Sequence, residues 1–241
     1  MVSHYHRGPL FYAWFAAMHS RVDLLFVDSR PEDRLLAVAE EILVRVKELE
    51  RMGNCHDPAS DLARLNADPS HEIPDELRLV LDACGSYREQ TLGLFDPWFE
   101  GRCNLSGFLK GYALDQIAPM VKEHGIKDAL VNMGNSSVMA VGCQPGCTDG
   151  WLVSRALPAV DGHEGVLLCD ECLSTSGNDS PSRRHIVNPL THELIGGQRT
   201  VSVVTPRGAL GEVLSTALFV ATDGQREQLL RRFSEARLID L

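Results

Sequence analysis

The sequence predicts an α+β fold in which largely antiparallel sheets pack against helices, and three observations carry the prediction. Amphipathic periodicity of three and four residues is concentrated before position 125, short β-branched runs separated by turn residues dominate after it, and no βα alternation recurs. These features describe one domain over residues 1–241, with a helix-rich part at about 1–125 and a strand-rich part with terminal helices at about 126–241. The composition is that of a globular chain: 241 residues, 44% hydrophobic and 23% charged. With 23 Lys and Arg against 33 Asp and Glu the formal net charge is −10, which argues against a surface that tracks nucleic-acid phosphates.

In chain order, the apolar stretch 10–18 is too short to span a bilayer and leads into the alternating run 22–27, where the fold is expected to start. No persuasive signal-peptide cleavage site follows it, so a cytoplasmic location with reduced thiols is expected. Residues 31–52 place Leu35, Val38, Ile42, Val46 and Leu49 on one face opposite Glu32, Glu40 and Lys47, which predicts a helix with Pro31 at its first turn. Ser60-Asp61-Leu62-Ala63-Arg64-Leu65-Asn66 reads as a short helical turn, 74–91 as a second long helix, and 110–124 as a third that stops at Gly125. Strands are expected at 129–133, 137–141, 151–156, 165–169, 172–175, 183–187 and 200–204, with terminal helices at 212–221 and 225–233.

Four segments offer chemistry, each beside a plainer reading. Lys110 sits between glycines at a helix start with Asp115 one turn on, either an anion cradle or a solvated ion pair. Ser174-Thr175-Ser176-Gly177 follows a strand and suits close approach to phosphate, or is an ordinary turn. His185 stands among polar residues and is either structural or a base. Glu212 and Thr216 share a helical face, where their hard oxygens suit magnesium or where the acid balances the helix dipole.

The seven Cys exclude a fully paired disulfide framework. Cys143 and Cys147 have three residues between them, Cys169 and Cys172 have two, and 21 separate the pairs. If strands 137–141, 151–156, 165–169 and 172–175 run up and down in sequence, all four thiols meet at one sheet end as a structural zinc site, the alternative being four separate reduced thiols.

Taken in order, eight segments resemble the ApbE family of FAD:protein FMN transferases. They are Ser60 to Asn66 as quoted above, Gly93-Leu94-Phe95-Asp96-Pro97, Lys110-Gly111-Tyr112-Ala113-Leu114-Asp115, Val131-Asn132-Met133-Gly134, Trp151 with Pro158, Thr175-Ser176-Gly177, His185-Ile186-Val187-Asn188-Pro189-Leu190-Thr191, and Leu214-Ser215-Thr216-Ala217. The resemblance implies an α+β fold that grips FAD in a cleft with magnesium at its pyrophosphate, and transfer of FMN to a Thr or Ser hydroxyl of an acceptor flavoprotein with release of AMP. It further implies Glu212, Thr216 and the Leu109 carbonyl as metal ligands, and His185 and Lys110 as catalytic residues. FAD would be held by Lys110, Asp115 and Gly134, with Thr175, Ser176 and Gly177 along the pyrophosphate and Met18, His56, Phe95 and Asp96 around the flavin or adenine.

Departures fall on the same positions. Glu212 stands where the family carries Asp, Met18-His19-Ser20 replaces Met-Gly-Thr and sets an imidazole in a spot expected to be close-packed, His56 takes an aromatic stacking position, Gly134-Asn135-Ser136 replaces Gly-Gly-Asp, and Thr191-His192 replaces Thr-Gly. They leave two alternatives beside the transferase: a non-catalytic FAD-binding relative and a diphosphatase that yields free FMN and AMP.

Overall fold

The computed structural model describes residues 1–154, 165–178, 186–196 and 199–240. It opens with three strands, β1 (Ser3–Arg7), β2 (Leu10–Ala17) and β3 (Ser20–Val27), so the part expected to be rich in helices begins with sheet. β2 escaped the sequence reading because both of its faces are apolar or aromatic: Phe11, Ala13, Phe15 and Ala17 are buried on one side, with Tyr12 and Trp14 on the other, and no polar alternation marks the strand. Met18 and His19 close the β2–β3 hairpin with φ of 50° and 55°, the two left-handed residues that a two-residue hairpin loop requires.

The helices follow where periodicity places them. α1 (Glu32–Gly53) buries Leu35, Val38, Ile42, Val46 and Leu49. α2 (Asp61–Ala67) is capped by the Ser60 hydroxyl, which accepts the Ala63 N–H at 3.0 Å. Asn66 then exchanges two hydrogen bonds with the Cys103 backbone at 2.7 and 2.8 Å, pinning α2 to the small β4–β5 hairpin (Trp98–Phe99, Arg102–Cys103) beyond α3 (Asp75–Gln90). α4 (Leu109–Glu123) ends as expected at Gly125, whose φ of 72° lets the Gly125 and Ile126 N–H groups return to Lys122 and Val121.

The remaining elements are β6 (Ala129–Met133), β7 (Ser137–Val141), β8 (Trp151–Ser154), β9 (Gly165–Leu168), β10 (Cys172–Asn178), β11 (Arg199–Thr205), α5 (Gly208–Val220), α6 (Asp223–Arg232) and β12 (Arg237–Asp240). α5 starts one turn earlier than its sequence suggests, and β12 was not anticipated. Of the strand expected at 183–187, residues 183–185 lie outside the described residues and Val187 forms an isolated bridge to Leu194.

Eight strands form one antiparallel sheet in the order β1-β2-β3-β6-β7-β10-β11-β12. One face packs on α1, α4 and α5 through a large core that includes Phe11, Leu24, Ile42, Ala113, Val131, Val203 and Leu214. The other face of β7, β10 and β11 is covered by the β8–β9 hairpin, where Trp151, Val166 and Leu168 meet Val138, Ala140, Leu173 and Val204. The hairpin therefore lies outside the main sheet, and β7 pairs directly with β10, contrary to the sequential up-and-down order expected for these strands.

Candidate functional site

The site is built where α4 and α5 cross over the sheet. A Cβ added at Gly111 would meet the Gly208 carbonyl oxygen at 2.2 Å, and one at Gly211 would meet the Ser174 hydroxyl at 2.6 Å. Only residues without side chains let α5 sit this close to both α4 and β10. That approach carries Glu212 into the space below the β6–β7 turn, where it is 7% exposed.

There the Ser137 hydroxyl donates to Glu212 Oε1 at 2.6 Å. The neighbouring Ser136 hydroxyl accepts from the Lys110 ammonium. Burial pushes the Glu212 carboxyl above its ordinary range, opposed by the charge of Lys110 and by the hydroxyls of Ser137 and Ser174, the last standing nearby without completing a hydrogen bond. A buried carboxylate, a half-buried cation and a row of hydroxyls thus form one polar cluster inside the fold.

Strand parity decides which β10 residues belong to this cluster. Ser176 lies on the helix face, 2.8 Å from the Ser215 hydroxyl and 3.1 Å from that of Thr216. Thr175 points to the other face, where its hydroxyl meets Ser202 across the β10–β11 register at 3.0 Å. Gly177 is packed against β11, a Cβ there meeting the Arg199 carbonyl oxygen at 2.6 Å. Of the three residues expected along the pyrophosphate, Ser176 alone presents its side chain to α5.

The other expected residues spread along the same end of the sheet. Gly134 has φ of 66°, and its missing side chain leaves room for Ser20, so the β2–β3 and β6–β7 turns lie side by side. The Met18 N–H donates to Glu50 at 2.7 Å, and the His19 and His56 rings meet edge-on at 6.5 Å. His19 is exposed at the tip of its turn, so the imidazole is not in the close-packed spot expected for it. With Trp14, Lys47 and Glu50 it lines an open hollow of about 670 Å³ that does not reach Lys110 or Glu212.

Phe95 is 4% exposed and packs against Phe108. Asp96 pairs with Arg88 at 2.7 Å and accepts the Trp98 N–H. Leu109 opens α4 with its side chain against Gly53. Asp115 uses both oxygens on the backbone of α5, accepting Gly208 N–H at 2.6 Å and Ala209 N–H at 3.0 Å. His185 and Pro158 lie outside the described residues.

The four-thiol zinc site does not form: among the described residues no three His, Cys, Asp or Glu side chains gather in a way that would hold a metal ion. The reason lies in pairing and parity. Cys172, opposite Met139 on β7, turns to the helix face beside Asp115 and Glu212, while Cys143 neighbours Cys169 and Cys147 outside the sheet. Burial pushes the Cys172 thiol up, which disfavours the thiolate that binds metal.

The family model described as the ApbE family matches residues 18–108 and 100–239. The chain belongs to the ApbE family. An FAD:protein FMN transferase of Rhodobacter capsulatus is 35% identical over 127 residues, covering 49% of this chain and 24% of that protein, so the match spans about a quarter of the relative's length. The fold is shared with the ApbE protein of Thermotoga maritima, at a TM-score of 0.78 and 20% identity over 96% of this chain and 94% of that one. It is shared equally with the flavin transferase ApbE of Vibrio cholerae, at 0.77 and 16% over 100% and 93%. The apo flavinyl transferase ApbE of Pseudomonas stutzeri matches at 0.78 and 18% over 100% and 91%.

Within this ApbE fold, sequence reasoning missed Ser136, Ser137 and Ser215. For two of them the signal was present: Ser137 is the one polar residue of an otherwise apolar, buried strand, and Ser215 sits on a helix that is buried nearly throughout. Buried hydroxyls without an apolar reason to be there mark a site.

Proposed function

We propose that this ApbE-family chain binds FAD beside the α4–α5 crossing and transfers its FMN moiety to a Thr or Ser hydroxyl of an acceptor flavoprotein, releasing AMP. The observation that carries the reading is the convergence of Lys110, Ser137 and Glu212, with Thr216 one turn along α5 and Ser176 of β10 against it. In such a transfer the acceptor oxygen forms a bond to the FMN phosphorus, the bond from that phosphorus to the bridging oxygen breaks, and the pair of electrons leaves with AMP. Lys110 would balance pyrophosphate charge in a protein of net charge −10, and the α4 and α5 backbones would fix orientation. The acceptor proton needs a base, and His185 is the residue that the family pattern assigns to it.

The donor set suits magnesium: Glu212 and Thr216 offer hard oxygens four residues apart on one helix, and the buried Glu212 carboxylate favours a positive neighbour. Glu212, Thr216 and the Leu109 carbonyl would hold the ion, whose contribution is to neutralise the pyrophosphate oxygens. Purified protein given FAD and magnesium, with and without a Thr-bearing acceptor, tests the reading. Flavin linked to the acceptor with equimolar AMP supports it, free FMN with AMP assigns a diphosphatase, and FAD binding without AMP assigns a non-catalytic relative. The last reading draws on Glu212 itself, whose longer arm already spends Oε1 on Ser137.

A further inference from the structure

We infer that Asp115 is a positioning residue, which caps α5 from the neighbouring helix and so sets where Glu212 stands. The inference rests on the proposed reading of the Glu212 site, and it assigns Asp115 a task other than contact with FAD.

A helix N-terminus leaves its first amide N–H groups without partners inside the helix, and a side-chain oxygen from the capping position commonly takes one. α5 has no such help from its own chain. Its capping position is Arg207, which makes no side-chain cap, and its first turn contains no acidic residue. Asp115 supplies what is missing from across the α4–α5 crossing. One oxygen accepts Gly208 N–H at 2.6 Å and the other Ala209 N–H at 3.0 Å, and the carboxylate's charge complements the positive end of the helix.

The grip sits beside the closest contact between the two helices, where a Cβ at Gly208 would meet the Gly111 carbonyl oxygen at 2.5 Å. One helix thus carries Lys110, which reaches Ser136 and Glu212, Gly111, which sets the interhelical approach, and Asp115, which sets the axial position of α5. A slide of α5 by one residue is about 1.5 Å. That displacement is enough to carry Glu212 beyond hydrogen-bond range of Ser137, now at 2.6 Å. Both Asp115 oxygens are committed to the backbone, so the carboxylate serves the Glu212 site through α5.

The full-length protein tests this with Asp115→Asn, Asp115→Glu and the double variant Asp115→Asn with Arg207→Ser. Arg207 has φ of −137° and ψ of 137°, the extended backbone from which a Ser side chain caps its own helix. Hydrogen exchange at the Gly208 and Ala209 amides should quicken about tenfold in Asp115→Asn, with β6 amides unchanged, lie between in Asp115→Glu, and slow again in the double variant. In the FAD assay, the magnesium concentration for half-maximal AMP release should rise about tenfold in Asp115→Asn while the KM for FAD moves less than about threefold, and the cap at 207 should restore the magnesium response.

Unchanged exchange at Gly208 and Ala209 overturns the inference. So does a raised KM for FAD that the Arg207→Ser cap leaves uncorrected, since that would make Asp115 a ligand contact. If the parent protein releases no AMP, the proposed function falls, while the exchange measurements still decide the capping role. If Asp115→Asn fails to fold, recovery of a folded protein by the cap at 207 supports the inference and failure of the cap to recover it overturns it.

Discussion

The two faces of β7, β10 and β11 are made from the same strands and differ in what they bury. On the outer face Val138, Ala140, Leu173 and Val204 meet Trp151, Val166 and Leu168 of the β8–β9 hairpin, and the Trp151 indole N–H is satisfied by the Val141 carbonyl at 3.0 Å. On the helix face Ser137, Ser174 and Ser176 meet Glu212, Ser215 and Thr216, with Lys110 close by. An apolar interface of this kind stabilises the fold by area removed from water, whereas buried hydroxyls and a carboxylate give little net stability and demand partners. The difference teaches that the helix face is held for something other than stability, and that substitutions on the two faces should part stability from activity.

The largest effect is expected on the outer face. Trp151→Ala removes the side chain that the hairpin lays on Leu173 and Val204, and it should cost about 3–5 kcal/mol in urea unfolding. FAD binding by the fraction that remains folded should be unchanged, because among the described residues no Lys110 or Glu212 hydrogen bond involves β8 or β9. Equal loss of binding and stability would erase the contrast between the faces. Gly111→Ala comes next, on the other side of the sheet. Its methyl group has no room before the Gly208 carbonyl oxygen, so α5 must retreat, at a cost of about 1–3 kcal/mol. Here FAD affinity should fall together with stability, because the same retreat carries Glu212 away from Ser137.

The faces also explain how far the sequence can be read. Local signals were legible where one short segment decides the outcome: the Ser60 cap of α2, the Gly125 stop of α4 and the apolar stripe of α1. β2 was not, because apolar or aromatic residues on both faces remove the polar alternation that identifies a strand. The cysteine spacing was legible and its meaning was not. Spacing carries no information about parity, and parity turns Cys172 toward the helices while Cys143 and Cys169 stay outside. The Asp115 grip joins residues 93 and 94 positions apart, so it could be seen only once the helices were packed. Lys110, Ser176, Glu212 and Thr216 were legible from the motifs, while Ser136 and Ser137 required the fold to bring the β6–β7 turn over α5.

Protonation sharpens the contrast further, since the outer face contributes no titrating group to it. Burial holds the proton on Glu212 to higher pH in the folded protein than the ordinary value of 4.5 in the unfolded chain. The folded state therefore binds more protons through that window, and this carboxyl's contribution to stability falls as pH rises through it. Gln at position 212 has no such dependence. In EDTA, the thermal midpoint of Glu212→Gln should rise relative to the parent between pH 4.5 and neutrality, and the two curves should run parallel at lower pH. A constant offset across the whole range would mean that the carboxyl is not desolvated in solution.

The smallest effect separates neighbours. Thr175 and Ser176 are adjacent on β10, each in a hydroxyl pair of about the same length, yet one pair lies on each face. Thr175→Val keeps the shape and strand propensity while removing one hydroxyl opposite Ser202, and Ser176→Ala removes the one opposite Ser215 and Thr216. Both should change stability by no more than about 1 kcal/mol, because a hydrogen bond exchanged with water has little net worth. Activity should divide them. AMP release should survive Thr175→Val within about twofold and drop about tenfold or more in Ser176→Ala, since Ser176 steadies the Thr216 hydroxyl that we propose as a metal ligand. Equal losses from the two would place FAD across both faces of β10, which the alternation of the strand and the packing of α5 on one side oppose.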